Sequence, residues 1–305
     1  MYRYFYIYIF FIFNMSYAEF NVTDLDRYHD ELSNWLVDTS NSIDNYFIEE
    51  NGTVSSKTYA ELKTSFALES KRSSEYAIRL RLRLNLPKIQ KKLRVVFEDS
   101  DSDDDFYDST KLDNDKHLDD KDYYLRLEYF NYIWKRLNFS MSGGVRLKRF
   151  DVHPFLNLKV KYDVESLNKN ERVISNRFRY YINSDIEDVV SYNILYPIDD
   201  SNYCTIRHNF RYRNWQNYQQ IVNSASCVKK IEKNRYISIG ASLLSELEDK
   251  DLTLQYPKIY WKYRGKLYKE WIYYELTPSI LWRKENSYNE SYRFMLNIGT
   301  IFNHS

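Results

Sequence analysis

The segment that decides the fold class is Tyr76-Ala77-Ile78-Arg79-Leu80-Arg81-Leu82-Arg83-Leu84-Asn85-Leu86. Its even-numbered positions carry apolar or aromatic side chains, whereas three of its odd-numbered positions carry arginine. Successive side chains of an extended strand point to opposite faces, so this segment has one apolar and one cationic face. A helix of the same sequence would spread the arginines around its whole circumference. The pattern therefore predicts a two-faced β-strand.

The same alternation recurs from about residue 57 to residue 302, and it predicts fourteen strands. In the predicted strand 123–133, for example, the expected apolar face consists of Tyr123, Leu125, Leu127 and Tyr129. The predicted strands are 58–68, 76–87, 91–98, 123–133, 136–148, 153–164, 172–183, 188–197, 202–213, 217–228, 234–245, 252–263, 268–283 and 290–302. Because the first strand has the weakest pattern, twelve strands stay open as an alternative. Short turns at 87–90, 134–136 and 264–266 are expected at one end, and the long connection 99–122 at the other.

The apolar faces of the predicted strands must be buried against another apolar surface or against lipid. Many predicted strands have ten or more residues, more than the roughly five or six of an average strand and enough to cross a bilayer at a tilt. An open sheet edge would leave backbone groups unpaired in lipid, so the sheet must close. We therefore predict an all-β chain forming an antiparallel transmembrane β-barrel, with a secreted or periplasmic β-sandwich as the alternative.

Composition narrows the function classes. The mean hydropathy of −0.66 excludes a polytopic helical membrane protein, because each helix would need about 20 consecutive apolar residues. The chain has 44 Lys+Arg against 43 Asp+Glu, a formal net charge of +1, which gives no general attraction to nucleic acid. It contains only 6 glycines and neither of the common glycine-rich phosphate-binding motifs.

The first residues have the pattern of an export signal. Arg3 precedes an apolar run of about ten residues, and small side chains at Ser16 and Ala18 form a cleavage site. We predict a signal peptide at 1–18, the alternatives being a buried strand or a membrane anchor. Residues 19–56 show helical spacing of apolar residues, as at Leu25, Leu32 and Leu36. They predict a periplasmic helical segment that is a plug, a packed cap at the barrel mouth or a loosely ordered linker, followed by the barrel at 57–305.

The last strand, Tyr292-Arg293-Phe294-Met295-Leu296-Asn297-Ile298-Gly299-Thr300-Ile301-Phe302, resembles the terminal strand of Gram-negative outer-membrane β-barrel proteins of the porin-like kind. Together with the long alternating strands, it extends the resemblance over most of the mature chain. The resemblance implies location in the cell outer membrane, contact with its lipid, and recognition by the barrel-assembly machinery. Three residues, Asn303-His304-Ser305, follow the terminal aromatic in this chain, which departs from that pattern.

The predicted inward faces are rich in basic side chains, and few inward acids are expected, chiefly Glu128, Asp163 and Glu275. Rings of Arg and Lys are typical of anion-selective pores. We therefore expect a pore or uptake channel for small solutes that prefers anions. The alternative is a structural or interaction barrel whose lumen is filled. The predicted lumen-lining basic residues are Arg79, Arg81, Arg83, Arg146, Lys159, Lys161, Arg177, Arg179, Arg207 and Arg211.

The long connection is unusually acidic. Its aspartates include Asp101, Asp103, Asp104 and Asp105, which are weak candidates for a Ca²⁺ site because hard cations prefer oxygen ligands. A solvated acidic loop is the alternative, and no other cofactor is expected. The histidines show no arrangement with Ser or Asp that suits catalysis, so we expect no enzyme. We also expect a monomer.

The two cysteines form the sharpest local pattern. A hairpin that turns near Trp215 and Gln216 pairs residues whose numbers sum to 431, and Cys204 with Cys227 is such a pair. Because exported proteins meet an oxidising compartment, we predict a disulfide between them, with two free thiols in different registers as the alternative.

Overall fold

A computed structural model of the chain describes residues 22–47, 58–70, 72–86, 93–98, 123–148, 151–164, 170–232 and 235–303. The predicted signal peptide and the acidic connection lie outside these ranges. One helix, α1 (Val22–Phe47), precedes fourteen strands. They are β1 (Tyr59–Glu69), β2 (Glu75–Leu86), β3 (Leu93–Glu98), β4 (Tyr123–Trp134), β5 (Leu137–Lys148), β6 (Asp151–Val164), β7 (Glu171–Tyr181), β8 (Ile186–Pro197), β9 (Asn202–Arg213), β10 (Tyr218–Glu232), β11 (Arg235–Glu248), β12 (Asp251–Tyr268), β13 (Ile272–Trp282) and β14 (Glu290–Asn303).

Each strand pairs antiparallel with its neighbours in sequence, and β1 pairs with β14 to close the barrel. The closing register runs from Tyr59 opposite Asn303 to Glu69 opposite Arg293. Closure gives every strand two partners, as a sheet in lipid requires. It confirms the predicted antiparallel barrel of fourteen strands, including the weakly patterned first strand, and excludes the twelve-strand alternative.

One local prediction was wrong. The predicted turn at 264–266 lies inside β12, which continues to Tyr268, and β13 begins at Ile272. Gly265 marks a close cross-strand approach by Tyr274 instead of a turn. In β4, the register shifts between Glu128 and Phe130, and the side chain of Tyr129, the last member of the predicted face, lies outside the described residues. A bulge adds one residue to one strand and shifts the faces of the residues beyond it.

The barrel has an apolar outer wall. Outward side chains of β1 and β2, such as Leu62, Phe66, Ile78 and Leu80, are exposed, while their inward neighbour Ser65 is fully buried. Large apolar side chains are exposed in the same way on the strands from β4 to β12 and on β14, whereas the outward side chains of β13 are half-buried. A continuous apolar exterior around a closed sheet is the surface of a membrane-spanning barrel. Among the described residues, no helix has the length and apolar content needed to cross a membrane.

The two ends of the barrel differ. β1 begins and β14 ends at one of them, which we call the terminal rim. β3 ends and β4 begins at the opposite end, which we call the loop rim. Outer-membrane barrels have short periplasmic turns and longer extracellular loops, so we expect the terminal rim on the periplasmic side.

Glycines in the sheet accommodate tyrosine rings from the neighbouring strands. Gly240 lies opposite Tyr260, and Gly299 lies opposite Tyr273. A Cβ atom at either glycine would clash with the opposing ring, because it would lie closer to the ring than van der Waals contact allows. These glycines therefore serve close packing of the inner wall.

Candidate functional site

The basic residues predicted to line the lumen lie on the inward faces of five strands. Arg79, Arg81 and Arg83 follow β2 in alternate positions, and their outward neighbours Ile78 and Leu80 are exposed apolar residues. The other seven lie on inward positions of β5, β6, β7 and β9: Arg146, Lys159, Lys161, Arg177, Arg179, Arg207 and Arg211. These residues differ in burial. Some belong to buried ion clusters, and others form a half-buried part of the inner wall.

The first part is a buried ion cluster on β7, β8 and β9 around Glu187. Four guanidinium groups lie within 4 Å of its carboxylate: Arg177 at 3.5 Å, Arg179 at 3.2 Å, Arg211 at 3.5 Å and Arg213 at 2.6 Å. A carboxylate placed among several guanidinium groups reduces their mutual repulsion, and so an arginine-rich wall can pack. We call this group the Glu187 cluster.

Aromatic rings extend the Glu187 cluster toward β4 and β6. The Arg179 guanidinium lies 5.1 Å from the ring centroid of Tyr124 and 4.8 Å from that of Phe155. Tyr124, Phe155 and Tyr181 pack together as buried residues. Arginine beside aromatic faces gains cation–π attraction, which strengthens when water is excluded.

A second buried cluster lies on the opposite side of the barrel, at the closing strands. Glu69 accepts hydrogen bonds from Arg283 Nε at 2.8 Å, Arg293 Nη1 at 3.0 Å and Ser291 Oγ at 3.1 Å. Arg293 also donates to Glu75 at 3.2 Å. These contacts join β1, β2 and β14 to the segment after β13, and so they reinforce the closure near the loop rim.

A third polar group lies nearer the terminal rim. Glu275 accepts a hydrogen bond from the Tyr236 hydroxyl at 2.9 Å and lies 3.6 Å from Arg264. Glu61 accepts a hydrogen bond from the Tyr273 hydroxyl. Polar contacts therefore join the strands of this part of the inner wall at two heights: around Glu69 near the loop rim, and around Glu275 and Glu61 nearer the terminal rim.

Sequence reasoning missed Glu69 and Glu187, the two central carboxylates of the buried clusters. Each lies one residue beyond the predicted limit of its strand, since the predicted ranges were 58–68 and 188–197. The alternation could have found them, because both continue the inward parity of their strands.

The second part of the inner wall is half-buried. It comprises basic residues of β2, β3 and β6, which we call the basic strip: Arg79, Arg81, Arg83, Arg94, Lys159 and Lys161. The side chain of Arg81 is 35% exposed and that of Arg94 is 41% exposed, whereas Arg179 is fully buried. β2 and β3 are adjacent, and β6 follows them after β4 and β5, so the basic strip lies on one side of the interior as a partly accessible cationic surface.

The histidine and metal-ligand predictions can be followed in the described ranges. The imidazole of His208 lies on the outer wall and its Nδ1 is 2.8 Å from Asn223 Oδ1. Over those same ranges, no three His, Cys, Asp or Glu side chains gather as a metal site. The Ca²⁺ candidates Asp101, Asp103, Asp104 and Asp105 lie outside the described residues.

The disulfide prediction is confirmed. Cys204 of β9 and Cys227 of β10 are directly paired in the register and are bonded. They lie on the outward face near the terminal rim, and on the inward face the adjacent pair Thr205 and Ser226 share a hydroxyl hydrogen bond of 2.9 Å. The bond thus fixes the register of one hairpin and has no contact with the basic strip.

Helix α1 lies against the outside of the terminal rim. Leu36 packs with Ala60 and Leu84, which are outward residues of β1 and β2. The His29 ring stacks on Trp271 at a centroid distance of 4.3 Å. Asp26 accepts hydrogen bonds from Lys269 at 2.6 Å and from the Tyr268 hydroxyl at 3.2 Å. The Lys269 ammonium lowers the pKa of Asp26, and the same bond raises the pKa of Lys269.

Comparison with known proteins rests on structure alone. No family model and no curated protein matches the sequence. The high-pH structure of Pseudomonas putida OprB is similar with a TM-score of 0.50 and 9% identity, over 81% of this chain and 94% of that one. An anion-selective porin from Comamonas acidovorans has a TM-score of 0.47 and 9% identity, over 81% and 99% of the two chains. At this identity the likeness concerns the fold.

Closure, strand number and apolar exterior together define the class of protein. The chain is an outer-membrane β-barrel with a porin-like architecture. Its interior is polar and its exterior faces lipid, as in that class.

Proposed function

We propose that the protein is a channel that lets small solutes cross the outer membrane with a preference for anions. The observation that carries the proposal is the basic strip, which combines an inward position with partial exposure. Arg79, Arg81 and Arg83 extend it along β2, and Lys159 and Lys161 continue it on β6. A cationic wall in a low-dielectric enclosure raises the local concentration of anions and repels cations.

The strip acts as a surface charge and requires no single binding site. Its members also have carboxylates within reach, as where Arg81 Nη1 lies 3.9 Å from Glu61 and Arg94 Nη1 lies 3.8 Å from Glu128. Such mixed walls give weak, multiple contacts, and weak contacts allow an ion to leave as readily as it enters. We therefore expect modest selectivity and no tight substrate.

Reconstitution in a planar bilayer tests the proposal. Folded protein in a potassium chloride gradient is expected to give discrete conductance steps, with a reversal potential displaced toward that of chloride. A reversal potential displaced toward potassium would contradict the anion preference and leave the channel intact. Silence from protein shown to be folded by its heat-modifiable gel mobility would contradict the channel itself.

A second candidate function is a structural or interaction barrel with a filled lumen. The observation that favours it is the burial of inward charged groups, since Arg126, Arg177, Arg211 and Lys258 are all at most 4% exposed. Side chains that line a wide aqueous pore would remain wet. Conductance separates the two functions, because a filled barrel gives no steps.

We also propose that the barrel-assembly machinery inserts the chain, that the protein acts as a monomer, and that the acidic connection holds Ca²⁺. Sedimentation in detergent and calcium titration of the intact protein test the last two.

A further inference from the structure

We propose that α1 is a membrane-interface anchor whose exposed aromatic side enters the phospholipid of the periplasmic leaflet. The inference concerns a surface of the chain and does not depend on conduction through the lumen. It starts from three exposed apolar residues on the helix, Tyr28, Leu32 and Trp35, which are 60%, 39% and 58% exposed.

The contacts of α1 place it on the lipid side of the barrel. Leu36 covers Ala60 and Leu84, which are 5% and 6% exposed, and Phe302 packs against the same cluster. All three barrel residues belong to outward faces. Leu62, two positions along β1 from Ala60, is 40% exposed, and Leu80, four positions along β2 from Leu84, is 41% exposed. The helix therefore covers the outer wall at the terminal rim, and the lipid-facing surface continues directly beyond it.

The geometry of the helix decides which way its sides point. Residues His29, Ser33, Leu36 and Ser40 form the half-buried or buried side against the barrel. Asp26 points to the terminal-rim turn through its bond to Lys269. At 100° per residue, Tyr28 lies about 200° beyond Asp26, so it points away from the turn and toward the bilayer.

Leu32 and Trp35 share the side of Tyr28, because they follow it by four and seven residues. The charged residues lie elsewhere on the helix: Arg27, Asp30, Glu31 and Asp38 are exposed on its remaining surface. Arg27 Nε lies 3.7 Å from Glu31 Oε1, and the two side chains form an exposed ion pair on this charged side. An apolar side with Trp and Tyr, next to a charged side, is typical of helices that lie in a membrane interface.

Phospholipid is the occupant that fits this side. The exposed aromatic side is continuous with the outer wall of β1, β2 and β14, which faces lipid in the closed barrel. Tyr and Trp rings with a polar tip are enriched where hydrocarbon meets headgroups. A helix seated there replaces lipid at the rim and adds its own interfacial residues to the anchoring of the barrel.

Site-specific fluorescence quenching tests the proposal. The two native cysteines are bonded to each other, so a thiol-reactive bimane label attaches only to an introduced cysteine. Trp35→Cys places the label on the proposed lipid side, and Asp38→Cys is the matched control on the charged side. Both proteins are reconstituted in vesicles of dibrominated phosphatidylcholine, and iodide is the aqueous quencher.

The label at Trp35→Cys is expected to be quenched by the brominated lipid and to show a several-fold smaller iodide quenching constant than the label at Asp38→Cys. Equal iodide access at both positions, without quenching by the lipid, would overturn the proposal. Protection of both labels from both quenchers would also overturn it, because it would mean that protein covers the helix. If Trp35→Cys does not fold, Leu32→Cys serves in its place on the same side.

Discussion

At the scale of single residues, the inner wall contains glycines that no larger residue can replace without a steric clash. Gly299 lies opposite Tyr273, and the ring occupies the space that a Cβ atom would need. The alternation predicts that residue 299 faces inward. It cannot predict that the position must be glycine, because that requirement comes from the rotamer of a residue on another strand.

Gly299→Ala is expected to destabilise the barrel by about 1–3 kcal/mol, the usual cost of overpacking. The added methyl group displaces the Tyr273 ring and with it the hydrogen bond to Glu61. Urea unfolding in detergent measures the change. Gly143→Ala is the control, because its Cβ would meet Leu156 Cδ2 at an ordinary 3.5 Å. Equal losses in the two variants would refute the steric explanation.

Glu187 is the residue whose removal should disturb the interior most. Glu187→Gln leaves the cations of Arg177, Arg179, Arg211 and Arg213 close together without the central carboxylate. Loss of one partner from a buried ion pair costs about 3–5 kcal/mol. A lower unfolding midpoint is expected, and Glu246→Gln, which replaces a carboxylate outside the Glu187 cluster and keeps an oxygen that can accept the 3.5 Å contact from the Gln220 amide, should change it less. An unchanged midpoint for Glu187→Gln would mean that the cluster contributes nothing to stability.

At the scale of elements, the hairpin of β9 and β10 was the most predictable part of the molecule. A turn position and the sum of two residue numbers sufficed to pair Cys204 with Cys227, because the register of a hairpin follows from its turn. The end of β12 was less predictable. Glycine is common in turns, so Gly265 favoured a turn, but in the structure it packs as a strand residue.

The double variant Cys204→Ser and Cys227→Ser is expected to fold and to lose less than about 3 kcal/mol. The chain-entropy model gives about 3 kcal/mol for a loop of this size, and the paired strands already restrict the hairpin. Unfolding with and without reductant measures the loss. Reduction should lower the midpoint of the native protein to that of the double variant, and a larger loss in the variant would show a cost of the serines themselves.

Helix α1 was predicted from apolar spacing, but its position was not. The spacing of Leu25, Leu32 and Leu36 does not distinguish a plug from a helix outside the barrel, because both bury one side. The contacts that settle its place are distant in sequence, such as His29 with Trp271 and Asp26 with Lys269.

The Asp26 contact predicts how docking of α1 depends on pH. The pKa of Asp26 is lowered by Lys269, so its contribution is present at neutral pH and is lost as pH falls below about 4. The raised pKa of Lys269 means that its contribution is lost only above about pH 10. Hydrogen exchange of residues 22–47, corrected for intrinsic rates, should show less protection at pH 3 than at pH 5.

His29 and Asp30 lie beside this contact, so a variant must assign the change to Asp26. In Asp26→Asn the drop in protection between pH 5 and pH 3 should be largely lost. An undiminished drop in that variant would show that Asp26 is not the group responsible.

At the scale of the whole molecule, closure could be predicted because lipid tolerates no open edge. The inward position of the basic residues followed from the same alternation. What the sequence could not predict is the division of the interior into buried clusters and the half-buried basic strip, because that depends on which carboxylates reach which guanidinium groups across the barrel. Glu69, for example, bonds Arg283 from 214 residues away.

The basic strip leads to a prediction about the ion selectivity of the whole barrel. The triple variant Arg79→Glu, Arg81→Glu and Arg83→Glu is expected to weaken or reverse the preference for anions, measured as the reversal potential in a salt gradient. The charges change inside an enclosure where water screens them poorly.

The matched control changes three lysines in exposed turns: Lys135→Glu, Lys250→Glu and Lys284→Glu. It alters the net charge of the protein by the same amount, but at physiological salt a charge in open water acts over only about 8 Å. Its shift in reversal potential should therefore be much smaller than that of the triple variant, provided that both proteins fold as judged by heat-modifiable mobility. Equal shifts would show that selectivity follows net charge, and the basic strip would then have no special part in it.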